Sequence, residues 1–151
     1  MKNLFDATVA NQVKNRLGKL GPQSEKRWGK MTAAQTLAHC SVSMQWAMGE
    51  LTPEKGALLA RLMGRLVKPI IFRNEDPLRK NSPTAKSLIV ADERDLGKER
   101  DRLSGLIDKF AEGGAAGCTS NPHSFFGKMT PEEWAILTYK HLDHHLRQFG
   151  V

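Results

Sequence analysis

Three of the five histidines crowd into one short stretch near the end of the chain, at His141, His144 and His145. Neutral imidazole is the commonest protein metal ligand, and two imidazoles four apart on a helix reach one ion. At 100° per residue, His141 and His145 lie about 40° apart on a helical wheel, against about 60° for His141 and His144. Trp134 and Leu137 (or Thr138) lead into the 141/145 pair along one face, so His144 is expected at the edge of that face or exposed. The bland reading is electrostatic: cationic side chains suit helix C-termini and need bind nothing there. The helix by itself does not choose between the two.

A further histidine, His39, sits in WGKMTAAQTLAHC and faces inward on another apolar helix. Alone, such a residue is more often a hydrogen-bonded core histidine than a ligand, yet an unpartnered imidazole gains little there. His123, beside Pro122 in a loop, reads as solvated. Three neutral imidazoles from 39, 141 and 145 would form a tripod with at least one open coordination position, the mark of a catalytic rather than a closed structural site. A metal there acts as a Lewis acid and lowers the pKa of bound water or thiol. Because imidazole must be unprotonated to bind, affinity is expected to fall below pH ~6.5.

Several other chemistries are excluded. A zincin H-E-x-x-H needs Glu after its first His, where Leu142 stands. Di-iron bundles need Glu three residues before each His, where Thr138 and Leu142 stand. There is no P-loop, no dinucleotide fingerprint and no G-x-S-x-G.

The elements that must position these residues are helices. Thr130, Pro131 and Glu133 form a complete start signal (N-cap, N1 proline, capping box), with Met129 and Trp134 placed as a hydrophobic staple. Gly29-Lys30-Met31-Thr32 repeats as Gly127-Lys128-Met129-Thr130, and Thr32 with Gln35 forms a second box. His39 follows its cap by seven residues and His141 by eleven, so the two occupy equivalent faces one turn apart. Further helices are expected over residues 3–20, over 51–72 opened by Thr52-Pro53-Glu54, and over 92–112. Leu58, Leu59, Leu62, Met63, Leu66 and Ile70 are expected to turn into the core and Arg61, Arg65 and Lys68 to face water, although a basic amphipathic helix can also lie on a membrane. Residues 73–91 read as a long connection, with Leu88-Ile89-Val90 either extended or leading into the next helix. Four principal helices and one long crossover indicate an all-α four-helix bundle.

At 151 residues a single domain is expected over 1–151. The net charge of +7 is uneven: residues 61–80 hold six Lys/Arg against two Asp/Glu, whereas 91–112 hold five against seven. Solvated helix faces are the usual meaning, and an anionic partner is the alternative. Cys40 and Cys118 make no disulfide framework, the start lacks the apolar core of an export signal, and no run approaches a membrane span. The expected location is the cytoplasm, with both thiols reduced.

The pieces WGKMTAAQTLAHC (28–40) and FFGKMTPEEWAILTYKHLDHHLRQFGV (125–151), about a quarter of the chain, resemble the DinB/YfiT-like superfamily of metalloenzymes, and within it a bacterial DinB-like family of unknown function. That superfamily places one His on the second bundle helix and H-x-x-x-H, followed three residues later by Gln, on the last. His39, His141, His145 and Gln148 take those places; Leu146-Arg147 departs from the Arg-Gly common among relatives. The resemblance implies a DinB-type bundle with the long crossover between its second and third principal helices, and a divalent metal on His39, His141 and His145. Gln148 and His144 would lie just outside the ligands. Zinc or nickel is the expected metal, with iron or manganese as alternatives, and a homodimer is in keeping with relatives.

The leading expectation is a metal-dependent enzyme of thiol S-transferase or hydrolase type, acting on a small-molecule substrate with a low-molecular-weight thiol; its catalytic residues beyond the ligands are not assigned. A non-catalytic metal-binding or stress-response module is the alternative. A basic nucleic-acid binder is the weaker one, since no recognition-helix pattern or stacking platform is visible. No membrane partner is expected.

Overall fold

The structure, a computed structural model, describes residues 1–53 and 57–151. Among them are five α-helices: α1 (Ala7–Leu17), α2 (Ala33–Ala47), α3 (Leu58–Ile71), α4 (Leu96–Gly113) and α5 (Pro131–Gln148). Two 3-10 turns, Lys86–Leu88 and Gly114–Gly117, complete the regular structure, and no strand occurs among the described residues. The chain is all-α.

The helix starts follow the local chemistry. Thr32 Oγ1 accepts from the Gln35 amide at 3.3 Å, and the Gln35 carboxamide accepts from the Thr32 amide at 2.9 Å. Thr130 and Glu133 make the same reciprocal pair at 3.1 and 2.8 Å. Each box satisfies two amides that a helix N-terminus leaves free. Helix α1 is shorter than residues 3–20, because Asp6 accepts from the amides of Thr8 and Val9 and so begins the helix at Ala7. Helix α4 begins at Leu96 rather than Asp92, since Asp95 is the side chain that caps it, accepting from Lys98.

α1, α2, α4 and α5 close around one core, in which Val13, Leu17, Met44, Ile107, Phe110 and Leu146 are almost wholly buried. Segment 48–95, which includes α3, joins α2 to α4. The chain between α3 and α4 is tied to the core helices by Lys140, whose Nζ donates to the carbonyls of Ile71 and Asn74 at 2.7 and 2.8 Å.

Helix α3 departs from expectation twice. It begins at Leu58 with Ala57 at its N-cap and no capping side chain, so Thr52 and Pro53 do not open it; Glu54 lies outside the described residues. Its large apolar side chains also face away from the protein. Leu58, Leu59, Leu62, Met63, Leu66 and Ile70 are exposed, and Gly64 is the buried residue of the helix. The physical reason is close approach: a Cβ on Gly64 would stand 2.0 Å from the Phe125 carbonyl oxygen, so the narrow side of α3 is the one that fits. Of Leu88-Ile89-Val90, Leu88 ends a 3-10 turn and Ile89 after it is extended; the stretch does not lead directly into α4, which starts at Leu96. Among the described residues no helix is long and apolar enough to cross a membrane.

Candidate metal centre

His39 reaches the site from the second turn of α2, and His141 and His145 from successive turns of α5. Their ring centroids form a nearly equilateral triangle with sides of 4.8, 4.8 and 4.7 Å. The Nε2 of His141 stands 2.9 Å from the Nε2 of His39 and 3.2 Å from that of His145. All three ligand atoms fall within 4.8 Å of one another. Four-coordinate zinc with nitrogen ligands at 2.0–2.1 Å sets neighbouring nitrogens about 3.3 Å apart. The cluster therefore has the span of an ion's coordination shell.

The outward nitrogens decide where the protons are. His39 Nδ1–H donates to the Leu88 carbonyl at 2.8 Å, an oxygen that can only accept. His145 Nδ1–H donates at 2.8 Å to the carboxamide oxygen of Gln148. Gln148 is held in that sense because its nitrogen donates to the Trp28 carbonyl at 2.7 Å. With both Nδ1 atoms protonated, the Nε2 atoms of His39 and His145 carry lone pairs, and both face His141 Nε2. A neutral His141 has one proton at most for that position and so can satisfy only one of them. A cation among the three nitrogens satisfies all, and the carbonyl behind His39 and the carboxamide behind His145 are the usual kind of support for a metal-bound histidine.

Electrostatics point the same way. Burial lowers the pKa of His39; that of His141 is held well below the ordinary value by burial and then by His145 and His39. His145 is pushed down to about 3 by burial and by His39. The three rings are neutral near pH 7, the state that ligates. His39 is buried, and His141 and His145 keep some residual exposure.

His144 is not one of the three that share a point, but its ring stands edge-on against that of His145 with 5.1 Å between centroids. Its Nδ1 donates to the Leu78 carbonyl at 3.2 Å, and its ring packs near Trp28 rather than touching a ligating nitrogen. It pins segment 73–80 to α5. His123 is not a solvated loop residue: it is largely buried against Phe126 and Trp134, and its Nδ1 accepts from the amides of Phe125 and Phe126 at 3.0 and 3.2 Å. That role belongs to the turn. Cys40, next to His39, points into the core, and burial pushes its thiol pKa far up; Cys118 is raised to about 11. No carboxylate or thiol joins the three histidines among the described residues.

Two supports could not be read from spacing. Leu88 lies 49 residues from His39 and Trp28 lies 120 from Gln148. Only Gln148, three residues past His145, carried a local signal. A separate surface hollow of about 780 Å³, bordered by Lys26, Thr32, Gln35 and Arg94, is not lined by any of the histidines.

No curated protein and no solved structure matches the chain. Residues 3–150 match the model of a family described as "Protein of unknown function (DUF1569)", and the chain belongs to that family.

Proposed function

We propose that this chain is a divalent-metal protein of DinB-type four-helix-bundle architecture, with zinc or nickel held by His39, His141 and His145. In this reading α1, α2, α4 and α5 are the bundle, and 48–95 is its long crossover. The observation that carries the proposal is the opposition of two lone-pair-bearing Nε2 atoms across His141. We infer further that the centre is catalytic, of thiol S-transferase or hydrolase type. A metal with an open position supplies Lewis acidity, which favours the anion of a bound thiol or water.

The chain's own residues have limited parts in that chemistry. Leu88 and Gln148 hold the tautomers that aim the imidazoles, and three neutral ligands leave the bound ion's charge uncompensated, which favours an anionic reactant. Neither cysteine serves as nucleophile, since burial keeps both protonated at neutral pH. The reacting thiol or water comes from solution.

Metal analysis of protein purified without a histidine tag tests the centre: about one equivalent is expected, and little after His39→Ala or His141→Ala. Equal metal content in all three proteins would refute it. Turnover of a low-molecular-weight thiol with monochlorobimane, restored by added metal after chelation, tests the catalytic half. Full metal occupancy without turnover on thiol or ester substrates would favour a metal-binding module instead.

A further inference from the structure

Helix α3 turns outward a face that is aliphatic throughout. Leu58, Leu59, Leu62, Met63, Leu66 and Ile70 are each between 49 and 82% exposed. On the wheel they fall within one arc of about 140°, which takes in Pro69 and no polar residue. At roughly 100 Å² per side chain the patch reaches about 600 Å², the upper limit for a typical monomer.

The helix is pinned from beneath and cannot roll to bury this face. Gly64 lies against the backbone of Phe125, with room for no Cβ, and Lys68 pairs with Glu133 at 2.7 Å. Charge is one-sided here as well. Residues 57–74 hold Arg61, Arg65, Lys68 and Arg73 and no acidic residue. The three helical cations line one border of the apolar arc, with Arg65 about 20° from its edge. Arg61 is half-buried, whereas Arg65 and Arg73 are exposed. The acids that follow, Glu75 and Asp76, accept from the Lys2 amide and from Asn74.

We propose that α3 docks the protein on an anionic lipid surface. The helix lies in the plane of the interface, its leucines in the acyl boundary and Arg65 and Arg73 among the headgroups. An interfacial helix has this division, apolar on one side with cations beside it. The sequence suggests no membrane partner because the apolar side of α3 is expected inward; its exposure removes that reason. A protein partner fits less well. Protein interfaces carry about one hydrogen bond per 100–200 Å², and these six side chains offer no donor and no strong acceptor, whereas acyl chains require none. Each cation near an anionic surface strengthens binding by about fivefold. The metal centre is independent of this contact, since α3 holds none of the three histidines.

Flotation of the full chain with vesicles tests this, comparing pure phosphatidylcholine with phosphatidylcholine containing about one third phosphatidylglycerol. The chain should float with the anionic vesicles and bind the neutral ones about tenfold or more weakly, a preference that shrinks as salt rises. The doubly substituted Leu62→Glu, Leu66→Glu chain should float with neither, at an unchanged helical spectrum and metal content. Arg65→Gln with Arg73→Gln should keep the weaker binding and lose the preference for anionic lipid. A wild-type chain that stays at the bottom of the gradient would overturn the proposal, as would equal binding to both lipids or flotation of the Leu62→Glu, Leu66→Glu chain. Self-association without flotation, abolished by that same double substitution, would also overturn it by giving the face to a second copy.

Discussion

Gly29 lies directly beneath the Gln148 carboxamide: a Cβ at position 29 would stand 2.5 Å from the carboxamide nitrogen. The residue also has φ +80°, a conformation that costs any other L-residue energy. This contact lets the Trp28 carbonyl hold Gln148, which in turn holds the Nδ1 proton of His145. Gly29→Ala should push the carboxamide aside and release the His145 ring. Zinc affinity, measured by competition with a chelating dye, should fall about 10-fold or more, in the range found for lost outer-shell partners. Gln148→Ala should reproduce that loss without the backbone strain. Unchanged affinity in both would remove Gln148 from the site.

The pH dependence follows from the lowered histidines. In the unfolded chain these imidazoles take up protons as pH drops below about 6.5, while in the folded chain they remain neutral to lower values, about 3 for His145. Between the two values the unfolded state binds more protons, so stability is full above pH ~6.5 and declines as pH falls. For the chelated protein, urea unfolding should lose up to about 1.4 kcal/mol per pH unit for each such histidine between pH 6.5 and 5. Metal occupancy, by the same shifts, should survive below the pH ~6.5 expected for free imidazole. A chelated protein equally stable at both pH values would contradict the buried neutral cluster.

Gly64→Ala tests how α3 is seated. The new methyl would lie 2.0 Å from the Phe125 oxygen and 2.6 Å from its carbonyl carbon, both backbone atoms that cannot swing away. Overpacking of this kind costs about 1–3 kcal/mol. Limited proteolysis should therefore cut within α3 sooner, while metal content stays at the wild-type level. Unaltered proteolysis would mean that α3 does not rest on Phe125.

Asp143 joins α1 to α5 and should matter for stability rather than ligation. It accepts from Arg16 at 2.7 Å and from Arg147 at 2.6 Å, and Arg16 also donates to the Val151 carbonyl at 2.9 Å. Asp143→Ala leaves Arg16 partly buried without its carboxylate, at a cost of about 2 kcal/mol by analogy with broken buried pairs, discounted for solvent. Denaturant melts should show that loss and zinc titration should not. The reverse pattern would place Asp143 in the site.

Much of the centre was legible because its signals are local. A capping box lies within four residues, so Thr32 and Thr130 could start α2 and α5 with no knowledge of the rest. The four-residue step from His141 to His145 fixes a shared face for the same reason, and His144, beside His145 at the edge of that face, is where the wheel puts it. His123 differs from the solvated loop residue that its proline neighbour suggests, because its place against Phe126 and Trp134 is a property of packing.

The case of α3 is instructive. Its periodicity correctly marked which side of the helix is apolar, yet that side was expected inward and is outward. An amphipathic pattern records a difference between two faces and carries no information about what meets either. Gly64 was the clue available, since a glycine amid good helix formers often marks close backbone approach.

The sequence by itself determined the helical segments, the boxed starts of α2 and α5 and the three imidazoles, because hydrogen bonds between near neighbours and a 3.6-residue turn require nothing distant. Only the tertiary structure decided that the Leu88 and Trp28 carbonyls set the tautomers, that two Nε2 lone pairs meet at His141, and that α3 leaves its leucines uncovered. Those outcomes depend on which backbone segments come within 3 Å of one another across tens of residues, and that is settled by packing the whole chain at once.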